Sequence, residues 1–330
     1  MKTKTVQEYS NELEYRSTVN RIGWSLVFFV GVLYVSNVIS RLLAEGYSDA
    51  STNNIKRYIL YSAAYMFSFM IPAMFYKIIS GSGRSKIIPK INLKIKLPKY
   101  AFLYIIIGFA LTRGAAYLNS FILNLVFPAT AAPEESIMLF NEFICNVMYI
   151  ALVPAICEEF LFRGMILGNL LPYGKTVAII GSAVLFGLMH QQIYQIFYTT
   201  VAGIVFGLIY VNTGSLLCGM LFHFVNNFLS VLEDYIYSAY GEKTCGIFTA
   251  ILFTLSAILG IISAMVICII KSRENNNYSE GFFEKKLKKS NNYIEKNIST
   301  ERAVQYFFAP GNLLFIVISV IIMTLSIFII

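Results

Sequence analysis

Apolar runs long enough to cross a bilayer follow one another along this chain, and they constrain its fold more than any other feature. About 20 apolar residues of helix cross the ~30 Å hydrocarbon core of a membrane. Such runs are Ile22–Leu43, Tyr58–Ile79 and Ala101–Phe127, followed by the long region Ile137–Leu171. Shorter ones come next at Thr176–His190, Ile193–Val211 and Ser215–Leu232, then two ordinary lipid-type runs at Ile247–Ile270 and Leu313–Ile330. Ile137–Leu171 exceeds one simple span. It is either a single tilted helix kinked near Pro154 or a span followed by a second helix. The expected fold is an all-α, polytopic transmembrane helical bundle of about eight to nine spans. Composition agrees, with 57% of residues hydrophobic and 13% charged, far more apolar than a soluble domain tolerates.

The net charge of +8 is not a nucleic-acid signal, because the Lys and Arg residues fall in loops beside the spans. The N-terminal segment carries Lys2, Lys4, Arg16 and Arg21. Lys77–Lys99 has seven Lys/Arg and no acid, and Lys271–Arg302 has eight against five Glu. Pro128–Ser136 has no base and two acids, Glu134 and Glu135. If the spans alternate, the basic stretches share one side, and the positive-inside rule puts them and the N-terminus in the cytoplasm. Nine spans then leave the C-terminus outside. Near anionic lipid, each such charge is also drawn to the surface by about 1 kcal/mol. The first span, preceded by mixed charges, reads as retained rather than as a signal peptide. Cys145, Cys157, Cys218, Cys245 and Cys268 are scattered and form no CxxC pair, so neither a disulfide framework nor a thiolate zinc site is expected.

On these features the chain divides into N-terminal spans with their basic loop (1–136) and a central block (137–232). A further span (233–270), a charged, Asn-rich cytoplasmic linker (271–309) and a last span (310–330) follow. Phe307-Phe308-Ala309-Pro310-Gly311 marks a turn before the last span. There is no internal repeat and no inverted pair of broken helices of the kind transporters use. The central block differs from both ends. Its spans are short and place Gly164 with Gly168, and Gly203 with Gly207, a spacing that lets helix backbones approach closely in lipid. A protected interior with the outer spans as a jacket is the expected arrangement.

Within that block, Pro154–Gly168 reads P-A-I-C-E-E-F-L-F-R-G-M-I-L-G, with Glu158, Glu159 and Arg163 inside an apolar run. An ionisable group in a membrane helix costs roughly 2.5–3.5 kcal/mol by insertion scales, so its presence is a functional hypothesis. Glu159 and Arg163 stand at i, i+4 with the acid first, the favourable order for a helix ion pair. Adjacent residues are turned about 100° apart, so Glu158 shares no face with Glu159 and needs a neighbour from another helix. The pair reads as a brace and Glu158 as a general base. Arg113, in the third run, calls for an acidic partner, with Glu142 and Glu159 as candidates.

The chain has two histidines, His190 and His223, and both lie in apolar runs. His223 and Asn227 are four apart and share a helix face, while Asn226 points elsewhere. Phe186, four residues before His190, is placed to wall the same cavity. Several routes to intramembrane hydrolysis lack their residues. No H-E-x-x-H run occurs, no G-x-S-x-G elbow occurs, and the two aspartates, Asp49 and Asp234, read as outer-loop residues. A Glu, two His and an Asn remain. Two arrangements stay open. Either Glu158 activates a water that His190 helps to hold, with His223 and Asn227 stabilising the oxyanion, or Glu158, His190 and His223 bind zinc with an open position for water.

Glu158-Glu159-x-x-x-Arg163, Phe186-x-x-x-His190 and His223-x-x-x-Asn227, in this order, resemble the three motifs of the CPBP intramembrane protease family, also called the CAAX prenyl protease 2 or Abi family. The resemblance covers roughly Pro154–Leu232, including the extended first motif P-x-x-x-E-E-x-x-F-R-G. It implies a membrane-embedded endopeptidase whose eukaryotic members remove the last three residues of prenylated CAAX proteins. Carried over residue by residue, it implies Glu158 as base, His190 as its partner on the water, and His223 with Asn227 at the oxyanion. Glu159, Arg163 and Phe186 are their structural support. The family is filed among metallopeptidases, which keeps zinc beside a metal-free glutamate–water mechanism. The implied partners are the lipid bilayer and a membrane-embedded or lipid-anchored peptide or protein; nucleic acid is not among them, and oligomeric state stays open. An Asn/Lys/Ile-rich composition suits an AT-rich bacterial genome and hence a bacterial plasma membrane. In organisms without prenylated proteins, the resemblance implies bacteriocin self-immunity, peptide maturation or surface-protein handling. The rival class is a non-catalytic immunity or scaffold protein that keeps the polar cluster for structure.

Overall fold

Hydrocarbon offers the backbone no hydrogen bonds, so every spanning segment must satisfy its own N–H and C=O groups. The computed structural model, which describes residues 6–45, 51–81, 100–126, 138–273 and 298–329, meets this condition with helices throughout. In order they are α1 (Val6–Glu45), α2 (Ser51–Ser80), α3 (Ala101–Val126) and α4 (Phe140–Tyr173). Then come α5 (Lys175–Met189), α6 (Ile193–Thr213), α7 (Leu216–Arg273), α8 (Thr300–Phe307) and α9 (Pro310–Ile329). The chain is an all-helical, polytopic membrane protein.

Among the described residues, six helices are long and apolar enough to cross a bilayer, or seven when α8 and α9 count as one bent span. That is fewer than the eight to nine expected, for two physical reasons. The run at 176–190 forms α5, which at 15 residues reaches about 22 Å, short of the hydrocarbon thickness. The runs at 215–232 and 247–270 form the two arms of α7, a 58-residue element counted once but broken at Gly241, whose φ of 80° and ψ of 169° leave the helical region. Glycine tolerates that backbone where a Cβ would not. The stretch 233–240, expected as a loop, is thus helix, and Asp234 sits on it.

The long fourth region is a single helix and not two. Pro154 and two π-helical stretches, Val147–Leu152 and Phe160–Leu167, lie within α4 and adjust its course. At the other end of the chain, Thr300–Phe307 is helical although it falls in the expected linker, and the chain then bends by 62° into α9. The turn at Phe307–Gly311 is where the sequence places it. Residues 82–99, 127–137 and 274–297 lie outside the described residues. So do most of the basic and acidic loops read for orientation, and Asp49.

The bundle has an inside. Fifty-six per cent of the α6 span is buried, against 22% for the span in α2, so the central block is surrounded by outer helices. Helices α5 and α6 come together through glycine: a Cβ on Gly203 would lie 3.0 Å from the Ala183 Cα, and one on Gly207 would lie 3.3 Å from Ile179 Cγ2. Gly164 meets nothing closer than 3.9 Å, so the tight approach belongs to the Gly203–Gly207 pair.

Arg113 pairs with neither Glu142 nor Glu159. Its Nη2 donates to Glu233 on the first arm of α7, because α3 packs along α7 and not against the charged part of α4. The Tyr117 hydroxyl donates to Thr249 O on the second arm at 3.2 Å, and Cys245 Sγ reaches Glu233 O at 3.4 Å. This polar cluster ties α3 to both sides of the Gly241 break.

Substituting Gly203→Ala inserts a methyl against backbone and should lower stability by about 1–3 kcal/mol. Gly31→Ala, with nothing within 4 Å of the added carbon, should change it little. Thermal unfolding of the two variants in detergent provides the comparison.

Candidate active site

Helix α4 carries the charges, and its local geometry follows from Pro154. In a regular helix, Ile150 O would accept from the N–H of residue 154, which proline lacks. Asn227 on α7 supplies a substitute, donating from Nδ2 to Ile150 O at 3.2 Å. The π-helical stretches on either side rotate the helix face, and such irregularities recur at functional sites. Between them, Val153–Glu159 presents both glutamates to the bundle interior, where Glu158 is 4% and Glu159 0% exposed.

Glu159 and Arg163 form the i, i+4 ion pair, Oε1 to Nη1 at 2.9 Å, both fully buried. The guanidinium is enclosed on every side. Arg163 Nη2 donates to Gly203 O at 3.1 Å, and its Cζ stands 4.5 Å from the Phe186 ring centroid and 5.0 Å from that of Phe206. Close approach of α6 at Gly203 therefore does more than pack helices, since it delivers a carbonyl to the cation. Phe186 also meets His190 edge-on at 5.0 Å, and Phe206 lies 4.6 Å from the His223 ring.

The two histidines are oriented in the same way. His190 Nδ1 lies 2.9 Å from Phe186 O, an acceptor only, so Nδ1 carries the proton and Nε2 is left to accept. His223 Nδ1 lies 3.0 Å from Glu159 Oε1, so this ring too donates from Nδ1. Its Nε2 stands 3.8 Å from Glu158 Oε2. Glu158 and Glu159, on different faces of α4, thus flank one imidazole, each at its own nitrogen. Glu159 is more than a brace for Arg163, because it also fixes the His223 ring.

Glu158 Oε1 accepts from the Tyr65 hydroxyl at 2.5 Å. Its Oε2 is buried and has no hydrogen-bond partner among the described residues. Glu158 and both histidines line a cavity of about 40 Å³ whose walls also include Tyr198, Asn226 and Asn227. A water needs roughly 10–15 Å³ of such space and two to four polar partners, so the cavity is large enough for one. The four residues expected to converge, Glu158, His190, His223 and Asn227, all line it, as does Phe186.

Two features of the site depart from what the sequence leads one to expect. Asn226, expected to point away, lines the cavity, is 5% exposed and donates from Nδ2 to Asn227 Oδ1 at 3.3 Å. Face arithmetic on a straight helix misses it because the cavity is wide enough to reach both amides. Tyr65 and Tyr198 come from helices where nothing in the sequence marks one tyrosine among 22. As for zinc, among the described residues no three His, Cys, Asp or Glu side chains are grouped to hold a metal ion, Glu158, His190 and His223 included.

Fold and site together define an integral membrane protein with a buried, water-sized polar centre built on a glutamate and two histidines. Residues 140–229 match the family described as Rce1-like, Type II CAAX prenyl endopeptidase Rce1-like, so this segment of the chain is similar to the CAAX protease family. The match runs from the start of α4 into α7 and contains every motif residue named above, but neither Tyr65 nor Arg113. No curated protein and no solved structure matches the chain.

Because Arg163 neutralises a buried carboxylate, Arg163→Ala should destabilise the protein by about 3–5 kcal/mol. Adding Glu159→Gln should recover part of that loss, since the orphaned charge goes with it. A double-mutant cycle on unfolding in detergent measures the coupling.

Proposed function

We propose that the chain is an intramembrane endopeptidase that hydrolyses a peptide bond of a membrane-embedded or lipid-anchored substrate by a glutamate-activated water. The observation that carries this reading is the asymmetric state of Glu158, with one oxygen held by Tyr65 and the other left bare beside His223 at the cavity. A general base must lie within hydrogen-bond reach of the proton it takes, and a glutamate with an unpartnered oxygen in the wall of a water-sized cavity supports that role.

The chemistry follows from the acceptors and donors present. One water proton points to Glu158 Oε2 and the other to the bare Nε2 of His190. Transfer of the first proton to Glu158 leaves a hydroxide that attacks the scissile carbonyl carbon, and the C=O pair moves onto oxygen. The Nδ2 groups of Asn226 and Asn227 each have a second hydrogen beyond the one used on Asn227 Oδ1 and Ile150 O. These hydrogens stabilise the oxyanion, and such donors act most strongly where water is excluded. His223 adds a donor from Nε2 when its ring carries both protons. Collapse of the tetrahedral intermediate breaks the C–N bond, and the amine leaves with the proton that Glu158 took. Every step uses groups of this chain. Zinc on Glu158, His190 and His223 would need these side chains to draw together first.

The Rce1-like match makes a C-terminal segment of CAAX type the first substrate class to test. The cytoplasmic N-terminus and a bacterial plasma membrane belong to the same reading, supported by loop charge and composition. The non-catalytic alternative predicts that the polar cluster can lose a reactive group without loss of function.

Glu158→Gln keeps the shape and removes the base. The purified variant should cleave a library of lipidated and unlipidated C-terminal peptides at least about a thousandfold more slowly than the wild type. Cleavage by the variant at the wild-type rate would refute the assignment. The same assay with a zinc chelator should leave the wild-type rate unchanged, and a loss reversed by added zinc would move the mechanism to the metal.

A further inference from the structure

Among the described residues, Tyr65 is the one group from outside the family-matched segment that touches the reactive carboxylate. It stands on α2, 93 residues before Glu158, and donates its hydroxyl to Oε1. The ring has no freedom to wander. It packs against Phe69 at 4.8 Å between centroids and against Tyr149 of α4 at 6.5 Å. Tyr149 in turn meets Tyr58 and Tyr61 at 6.2 Å each, so three tyrosines one turn apart on α2 bear on one ring of α4. The stack locks α2 to the helix that carries Glu158, and the hydroxyl at its end is the part that reaches the carboxylate.

A glutamate has three rotatable side-chain bonds and two chemically equal oxygens. Arg163 does not select between them, because its contacts go to Glu159 and Gly203. His223 stands 3.8 Å from Oε2, beyond hydrogen-bond length. The Tyr65 hydroxyl is therefore the contact that distinguishes the two oxygens, and it leaves Oε2 bare. We infer that Tyr65 is a positioning residue for hydrolysis, fixing the rotamer of Glu158 so that Oε2 and not Oε1 meets the water. On this inference the N-terminal helices are part of the catalytic apparatus, and α2 supplies what the matched domain lacks.

The inference rests on the proteolytic reading, and its test separates the two. Tyr65→Phe keeps the ring and its packing but removes the donor. In the full-length protein in detergent, the variant should remain folded, its thermal midpoint lowered by no more than the loss of one buried hydrogen bond. With the peptide that the wild type cleaves fastest, kcat should fall about tenfold to a hundredfold at unchanged KM, the range expected for one hydrogen bond to a charged group. Infrared difference spectra, with the Glu158 carboxyl band identified by subtracting Glu158→Gln, should show that band shifted in Tyr65→Phe. Wild-type kcat, or a lowered kcat with an unshifted band, overturns the positioning role. If Glu158→Gln cleaves as fast as the wild type, the proteolytic reading and the role built on it fall together, while the band still reports whether the Tyr65–Glu158 contact exists.

Discussion

The buried contact of Arg163 with Glu159 is the interaction on which the site depends. A lone charge in hydrocarbon is costly, and two charges become tolerable when they are paired. Here the cation is held between two phenylalanine rings and a backbone carbonyl of α6, while the anion is shared with His223. Three helices are thereby fixed around one ion pair. The imidazole orientation, the place of Phe186 and the approach of α6 all trace to it.

Irregular backbone is the second condition. A uniform α4 would leave no carbonyl for Asn227 to meet. The missing N–H of Pro154 frees Ile150 O, and the amide of α7 docks there. One proline thus joins two helices by a polar contact that hydrocarbon strengthens, since the alternative is an unsatisfied carbonyl. A substitution at Pro154 would disturb the amide side of the cavity without touching the carboxylate.

Much of this is legible in the sequence because membrane physics narrows the choices. A charge in an apolar run stands out, and i, i+4 spacing alone is enough to pair Glu159 with Arg163. Two histidines in apolar runs are equally conspicuous. What the sequence hides depends on contacts between helices. The partner of Arg113 is Glu233, which resembles a loop residue because the helix continues past the apolar run that defines it. A straight-helix argument turns Asn226 away from the site, and the shape of the cavity overrides it. Tyr65 carries no signal at all, since its role arises from where α2 lies and not from any pattern along it. The two apolar runs on either side of Gly241 are legible, but the break that joins them is not, because hydropathy is blind to how runs are joined.

The position of the charges along the chain also bears on how such a protein enters a membrane. Arg163 follows Glu159 by one helical turn, so that pair can close within the helix as it inserts. Glu158 finds its donor on α2, which is synthesised earlier and already in place. Both buried acids of α4 therefore meet a stabilising partner on arrival. His223 is made 64 residues after Glu159, so the polar centre is complete only when α7 has docked. A nascent chain holds both carboxylates before the ring that lies between them arrives.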